Sequence, residues 1–532
     1  MITKKTRFLA MILTVMVFSL LVTGCSPTPV EPDDDVSGDD KYGGWMTLRL
    51  RQDMRQPNFY LTRDGTGGLL RGCMHETLFA KDANANLVPR LATGYDLSDD
   101  GLTYTVHLRE GVKWHDGEEF TADDVVFYYD YHEKVDSVEK SHDYSGFTVN
   151  KTDTYTVDYV LKQPDPFFPW NFMEYCVLPE HIWSKIDPTT WDQVSDSSAF
   201  VGIGPFKWVE YKVGEYVKVE RFDDYWDGKP YLDGIILQFI GDTDAAEVAF
   251  ESGQVQIMQV SYLLAQKLDG ADGCSFAGFP SGNMRVVMMN HADPRLSQLP
   301  VRIALSYLMD RESQILANQE RAVPMASCFT PADTYYNPSA ADALAFEFSV
   351  EKAIEVLEDD GWVLNSEGIR EKDGQVLDFE MITSIADNPS IVVMIDTCKK
   401  AGINIRWNPG DIPVFTQRVF SPERDFELAY NGMTMGPAAS RYKGMYSEGQ
   451  YTTYVNDNIK AKFAEAMAAT DEATAKSLWD EIQYEVTKDR AMLWLYSAER
   501  IWGTNSNVNL DECGMSGLYQ GWINIGKAYF EK

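Results

Sequence analysis

Between Ser98 and Tyr129 the chain carries three local signals in immediate succession. Asp100-Gly101 is a strong hairpin turn signal, and Leu102 to Leu108 alternates apolar and polar residues as a half-buried strand does. Asp116-Gly117 turns the chain again. Thr121-Ala122-Asp123-Asp124 then fits a capping box, in which the threonine oxygen and the N3 carboxylate each accept from an otherwise orphaned backbone N–H. A helix therefore begins ahead of Val125, Val126, Phe127 and Tyr129. Near the other end, two further helices are expected at 459–467 and 475–486, where Leu478, Ile482 and Val486 recur four apart as a core face.

The first 24 residues form a separate unit. Lys4, Lys5 and Arg7 precede an apolar run from Phe8 to Val22, shorter than the ~20 residues that cross a bilayer as a helix. This is the pattern of a signal peptide, residues 1–24. Leu21-Val22-Thr23-Gly24-Cys25 resembles the lipobox of bacterial lipoproteins, which implies a lipid on Cys25 and a protein held at the cell membrane on its extracytoplasmic face. Residues 25–44, rich in Pro, Asp and Ser, read as an acidic flexible tether. No later stretch is long and apolar enough to span a membrane, so the body is expected to be exported and tied down at one end.

Asp and Glu number 81 against 47 Lys and Arg, a formal charge of −34. Binding a phosphate backbone needs a basic face, so nucleic acid is excluded as a partner. The seven histidines contain no pair four apart, as a zinc-protease helix requires. There is no GxSxG nucleophile elbow and no GxxxxGK[ST] phosphate loop. Gly202-Ile203-Gly204-Pro205 lacks the third glycine of a dinucleotide fingerprint. Asp82-Ala83-Asn84-Ala85-Asn86 opens like a calcium loop, but Leu87 stands at the turn glycine and Thr93 at the bidentate glutamate. Six cysteines besides Cys25 are scattered with no CxxC pair, and single buried thiols are the expectation for most of them. No catalytic constellation, cofactor or metal is expected, which leaves an enzyme without positive support.

The turn–strand–helix block and the stretch before it, Leu87-Val-Pro-Arg-Leu-Ala-Thr-Gly-Tyr95, together resemble the signature of the oligopeptide/nickel class of bacterial extracellular solute-binding proteins, family 5. Further blocks follow in the family's order: Val201 to Phe206, the alternating stretches Tyr216–Phe222 and Ile235–Phe239, Glu247 to Gly253, Asn290, Val301 to Glu312, Ala353 to Trp362, Lys399 to Ile403, and Asp425 to Leu428. They span roughly residues 70 to 500. Most are turn glycines, core aliphatics and caps, so they identify a scaffold and do not themselves touch ligand; Trp114, Trp208 and Trp226 fall in this class.

The resemblance implies an α/β, two-lobed type II (class C) periplasmic-binding-protein-like fold with an extra inserted domain. Domain I is expected from 45–68, 196–285 and 495–532, domain II from 69–195, and domain III from 286–494. It implies a non-enzymatic, monomeric receptor of an ABC importer that closes on a peptide-like solute and delivers it to the permease subunits. An oligosaccharide is the rival ligand, and a secreted hydrolase the rival class. Peptide-binding members carry Gly-Trp-x-x-Asp after their Phe-Asp-Leu strand, the Asp pairing with the peptide ammonium. Here Met433 and Gly436 occupy those places. The expected ligand-binding residues are Tyr430, Asn431, Met433, Thr434, Gly436 and Trp407, with Asp411 and Glu448 the nearest carboxylates able to stand in for the missing one.

Overall fold

The computed structural model describes residues 40–531 except 55–64, 83–85, 136–143, 174–176, 326, 332, 334, 340–346, 386–387, 435–438, 517–520 and 523. The expected signal peptide, Cys25 and nearly all of the expected tether lie outside the described residues, as does Gly436. A folded body starts at Tyr42.

Its frame is a sheet of eleven strands: β1 (Trp45–Leu50), β2 (Phe206–Lys212), β3 (Tyr216–Arg221), β4 (Gly234–Phe239), β5 (Ile257–Gln259), β6 (Ser275–Met289), β7 (Ala322–Pro324), β8 (Asp378–Thr383), β9 (Asn404–Pro409), β10 (Leu428–Thr434) and β11 (Met492–Thr504). The order is β9-β8-β10-β6-β11-β5-β1-β4-β3-β2, with β7 added on β11. Two strands belong to both ends. β6 and β11, 15 and 13 residues long, pair with each other along most of their length. One end of the pair joins β5 and β1, and the other joins β10 and β7. These are the two lobes. The expected boundaries at 285/286 and 494/495 fall inside these two strands, not in loops.

The second lobe buries both faces of its sheet. Val287, Met289, Leu428, Leu493 and Leu495 point into one core with Trp362 and Ile391, while Met284, Val286, Met288, Ala429 and Trp494 point into another with Tyr442 and Trp479. Opposite-face alternation follows from the pleat. Helices Asp457–Met467 and Glu472–Lys488 carry Ile459, Phe463, Ile482 and Val486 into the second of these cores, which matches the spacing argument. There Trp479 stacks on Tyr335 with centroids 3.9 Å apart. Beside them buried Asp333 accepts from the Tyr442 hydroxyl and from the Thr330 amide and hydroxyl.

The first lobe shares a core with a separate four-stranded sheet, Ala92–Leu97, Thr103–Leu108, Thr156–Leu161 and Phe147–Asp153. Helix Ala122–Lys134 starts at the capping box read from the sequence, with both reciprocal bonds present. The Gly202-Ile203-Gly204 turn locks this layer to the first lobe. A Cβ on Gly202 would run into the Met74 carbonyl, and one on Gly204 would sit 2.6 Å from the same carbonyl carbon. The amides of Ile203 and Gly204 both donate to that oxygen. Glycine is required here for close approach. His115 completes the lock: its Nδ1 accepts from the Gly202 amide and its Nε2 donates to the Gly204 carbonyl, each at 3.0 Å. Burial pushes its pKa down to about 4. Trp114 is fully buried, and the Arg90 and Arg109 guanidiniums each lie over the Trp226 ring, 4.9 Å and 4.4 Å from its centroid.

Candidate functional site

Parallel strands leave their carboxyl ends in a crevice where side chains and loops can meet a ligand. In the first lobe β1 runs parallel to β4 and β5, ending at Leu50, Phe239 and Gln259. In the second lobe β8 runs parallel to β9 and β10, ending at Thr383, Pro409 and Thr434. Through the antiparallel pairings of β6 and β11, both sets of ends point at the same place, the middle of the two shared strands.

That middle is irregular. Pro280 opposes Glu499 and Met284 opposes Ser497, so three residues of β6 stand against the single Ala498. A bulge of this kind bends the pair and increases its twist. On the other flank of β11, β5 covers Trp502 to Thr504 and β7 covers Tyr496 to Ala498, leaving Glu499 to Ile501 outside either ladder. The two lobes are therefore joined through the least continuous part of the sheet, a place suited to hinge motion.

Charged side chains gather around it. Arg285 pairs with Glu320 at 3.0 Å and donates to Asn283 at 3.2 Å. Burial works against the Arg285 charge, and Glu320 together with Tyr430 and Tyr496 outweighs it, so the guanidinium stays above its ordinary pKa. A Cβ on Gly432 would run into the Arg285 Nη1, so glycine opens the way for that arginine across β10. Arg321 Nε meets Glu499 at 2.6 Å above Gly278, where a Cβ would lie 2.7 Å from that nitrogen. Gln319, at φ 53°, ends helix Arg311–Ala317 in the left-handed region and turns Glu320 and Arg321 toward β7. Behind the pairs, Asn318 donates to the Tyr496 hydroxyl at 2.7 Å, and Ser390 bonds the Tyr430 hydroxyl at 3.1 Å.

The residues expected from sequence fall in different places. Tyr430 is 1% exposed in the core with Tyr496, and Met433 is buried in the core on the opposite face. The alternation of β10 separates them. Half-buried Asn431 pairs with Val286. Thr434 closes β10 opposite Asn283, its side chain outside the described residues. Trp407, on β9, lines a cavity of about 640 Å³ together with Asp310, Ser313, Asn388 and Asp396. Asp411 caps helix Ile412–Phe420 through Val414 N, and Glu448 faces Lys443 and Lys460. Both carboxylates are already engaged.

Arg285, Glu320, Arg321 and Glu499 were not among the sequence expectations. The signal open to inspection was a charge inside an apolar strand, as in Met284-Arg285-Val286-Val287 and Ser497-Ala498-Glu499-Arg500-Ile501. Among the described residues no three His, Cys, Asp or Glu come together to hold a metal ion, and no helix is long and apolar enough to cross a membrane.

Comparison with known proteins places this geometry in context. The profile of the bacterial extracellular solute-binding proteins, family 5 middle, matches residues 86–453. The chain is similar to the oligopeptide-binding protein AppA of Bacillus subtilis, 26% identical over 522 residues that cover 93% of this chain and 94% of AppA. It resembles the crystal structure of the ABC transporter substrate binding protein CtaP of Listeria monocytogenes at a TM-score of 0.79 and 24% identity, covering 92% of this chain and 100% of that one. It also resembles AppA of Bacillus subtilis in complex with a nonapeptide, at a TM-score of 0.67 and 24% identity over 93% of this chain and 100% of AppA.

Proposed function

The chain belongs to the bacterial extracellular solute-binding proteins, family 5, and from that premise we propose that it is a lipid-anchored receptor of an ABC importer, capturing a peptide-like solute between its lobes and handing it to the permease. The observation that carries the reading is the interrupted β6–β11 crossing, on which the carboxyl ends of six parallel strands converge from two lobes. A ligand held there by both lobes favours the closed arrangement in proportion to its differential contacts. Closure excludes water and strengthens every polar contact inside. The oligopeptide-binding name of the Bacillus subtilis relative supports a peptide over an oligosaccharide. So does the burial of Tyr430, which leaves that ring no open face on which a sugar could stack.

In this reading Cys25 carries the lipid that holds the protein at the membrane, and no bond of the solute is made or broken. Asn431 and Thr434 on β10, and Gly436 beyond the described residues, remain the proposed contacts of the second lobe, while Met433 is buried in a core and Trp407 lines a cavity of its own. The test is native mass spectrometry of the mature protein purified without denaturation. An intact co-purified peptide is expected. A retained glycan would overturn the peptide assignment, and released cleavage products would overturn the receptor assignment.

A further inference from the structure

The four-stranded layer meets both lobes, and it meets them by different means. Phe167 and Phe168 are consecutive, yet their rings enter different cores. Phe168 lies in the core shared with the first lobe, stacked on Tyr104 and Phe172 with centroids 5.4 and 5.0 Å away. Phe167 lies in the second lobe's core, edge-on to Tyr335 with centroids 4.8 Å apart and planes at 88°. Aromatic pairs favour that perpendicular geometry. Tyr335 is in turn the ring stacked on Trp479. Half-buried Trp170 packs on the same core one turn later. The loop ahead is braced: the Tyr104 hydroxyl donates to the Asp165 carbonyl at 2.8 Å, and the Phe167 amide donates to the Asp165 carboxylate at 3.0 Å. The hairpin turn at Gly101 touches the second lobe too, where a Cβ would stand 3.3 Å from the Thr470 Cβ.

Toward the first lobe the attachment is polar and buried. Arg90 grips Glu76 through Nε and Nη2 at 3.0 and 2.8 Å, donates to the Tyr225 hydroxyl at 2.9 Å and reaches Asp227 at 3.1 Å. The Met74 carbonyl takes the Ile203 and Gly204 amides beside them. Parting these groups would strand buried charge. Parting Phe167 from Tyr335 returns only apolar surface to water. The chain leaves the layer into β2 of the first lobe and reaches the second lobe only through β6.

We propose that Phe167 is a closing latch: the layer travels with the first lobe, and its ring seats on Tyr335 when the lobes close and withdraws when they open. The inference rests on the receptor reading and adds to it a share of the closing force that the solute does not supply. Latch and solute then bias one equilibrium, so weakening the latch speeds release of a solute whatever its chemistry.

The experiment uses the mature protein, a pool of synthetic tetrapeptides to nonapeptides, and Gly101→Cys with Thr470→Cys as a reversible cross-link between the layer and the second lobe. The 3.3 Å between those Cβ positions is close to the ~3.8 Å of a disulfide. The reduced form of the same protein is the reference, so the left-handed turn at Gly101, φ 70°, weighs on both arms equally. Oxidised with the pool bound, the protein is expected to release peptide about tenfold or more slowly than when reduced. Phe167→Ala alone should release it about tenfold faster than wild type, with Phe167→Leu between the two and circular dichroism unchanged. Equal release from oxidised and reduced protein, or from Phe167→Ala and wild type, overturns the latch and leaves the receptor reading standing. If wild type binds none of the pool, the peptide reading fails, and small-angle scattering of the peptide-free double-cysteine protein decides the latch. A larger radius of gyration when reduced than when oxidised upholds it; equal radii overturn it.

Discussion

His115 offers a quantitative test of how the layer beneath the first lobe is held. Its ring accepts at Nδ1 from the Gly202 amide and donates at Nε2 to the Gly204 carbonyl, so the neutral tautomer satisfies both bonds. Protonation would place a second donor against the Gly202 N–H. Burial lowers the folded pKa from 6.5 to about 4. The unfolded chain therefore takes up a proton between pH 6.5 and 4 while the folded chain does not, and stability falls as pH falls through that window. From pH 7 to pH 5 the difference in proton binding amounts to about 2 kcal/mol for this one group. Most carboxylates stay ionised at pH 5, so that interval isolates histidine. His291, whose Nε2 donates to the Ala491 carbonyl, is also lowered to about 4 and contributes in the same direction. Comparison with His115→Gln removes that shared part. Urea unfolding of ligand-free protein at pH 7 and pH 5 should show the wild type losing about 2 kcal/mol more than the variant over the interval. Equal losses would refute the assignment of the pH dependence to this turn.

Three other outcomes follow from the packing and from the hinge. Gly204→Ala places a Cβ 2.6 Å from the Met74 carbonyl carbon, in a rigid backbone contact, and should cost about 1–3 kcal/mol in the urea midpoint with secondary structure retained. Trp479→Ala deletes a fully buried ring stacked on Tyr335, and a loss of about 3–5 kcal/mol by calorimetry is expected. Adding a bound peptide should lower the radius of gyration in small-angle scattering and raise the Tm, by about 2.7 kcal/mol of stabilisation at a hundredfold excess over Kd; saturable binding at constant radius would contradict a hinge at the β6–β11 bulge.

What the sequence made legible was local. The Thr121 capping box, the Asp100-Gly101 hairpin and the core face of helix Glu472–Lys488 each depend on residues within one turn or one strand, and all three stand in the structure. The Gly202–Gly204 turn was visible as a motif, but its reason was not, since Met74 and His115 approach it from more than eighty residues away. The junction was less legible still. Arg321 meets Glu499 only because β7 joins β11, and the irregularity opposite Ala498 is a property of two long strands paired from far apart in the chain. Tyr430 and Met433 looked alike as aromatic and soft apolar candidates beside one loop. Strand pleat sends them to opposite cores, and no local pattern shows which face of a doubly covered sheet meets a ligand.

The strand order also dictates when the protein can become itself. β1 begins at Trp45, yet its neighbours are β4 and β5, and β5 is completed only by β11, beyond residue 500. Closure of the first lobe waits longer, for the Asn524 amide on Asp227 and for the Gly526 carbonyl that accepts from Tyr231. A chain emerging from its amino end thus cannot finish its first lobe until nearly its last residue has arrived, and contacts so far apart in sequence form slowly. Through all of that time β6 lacks β11, its longest partner, and the apolar surface the pair later buries stays open to misassembly.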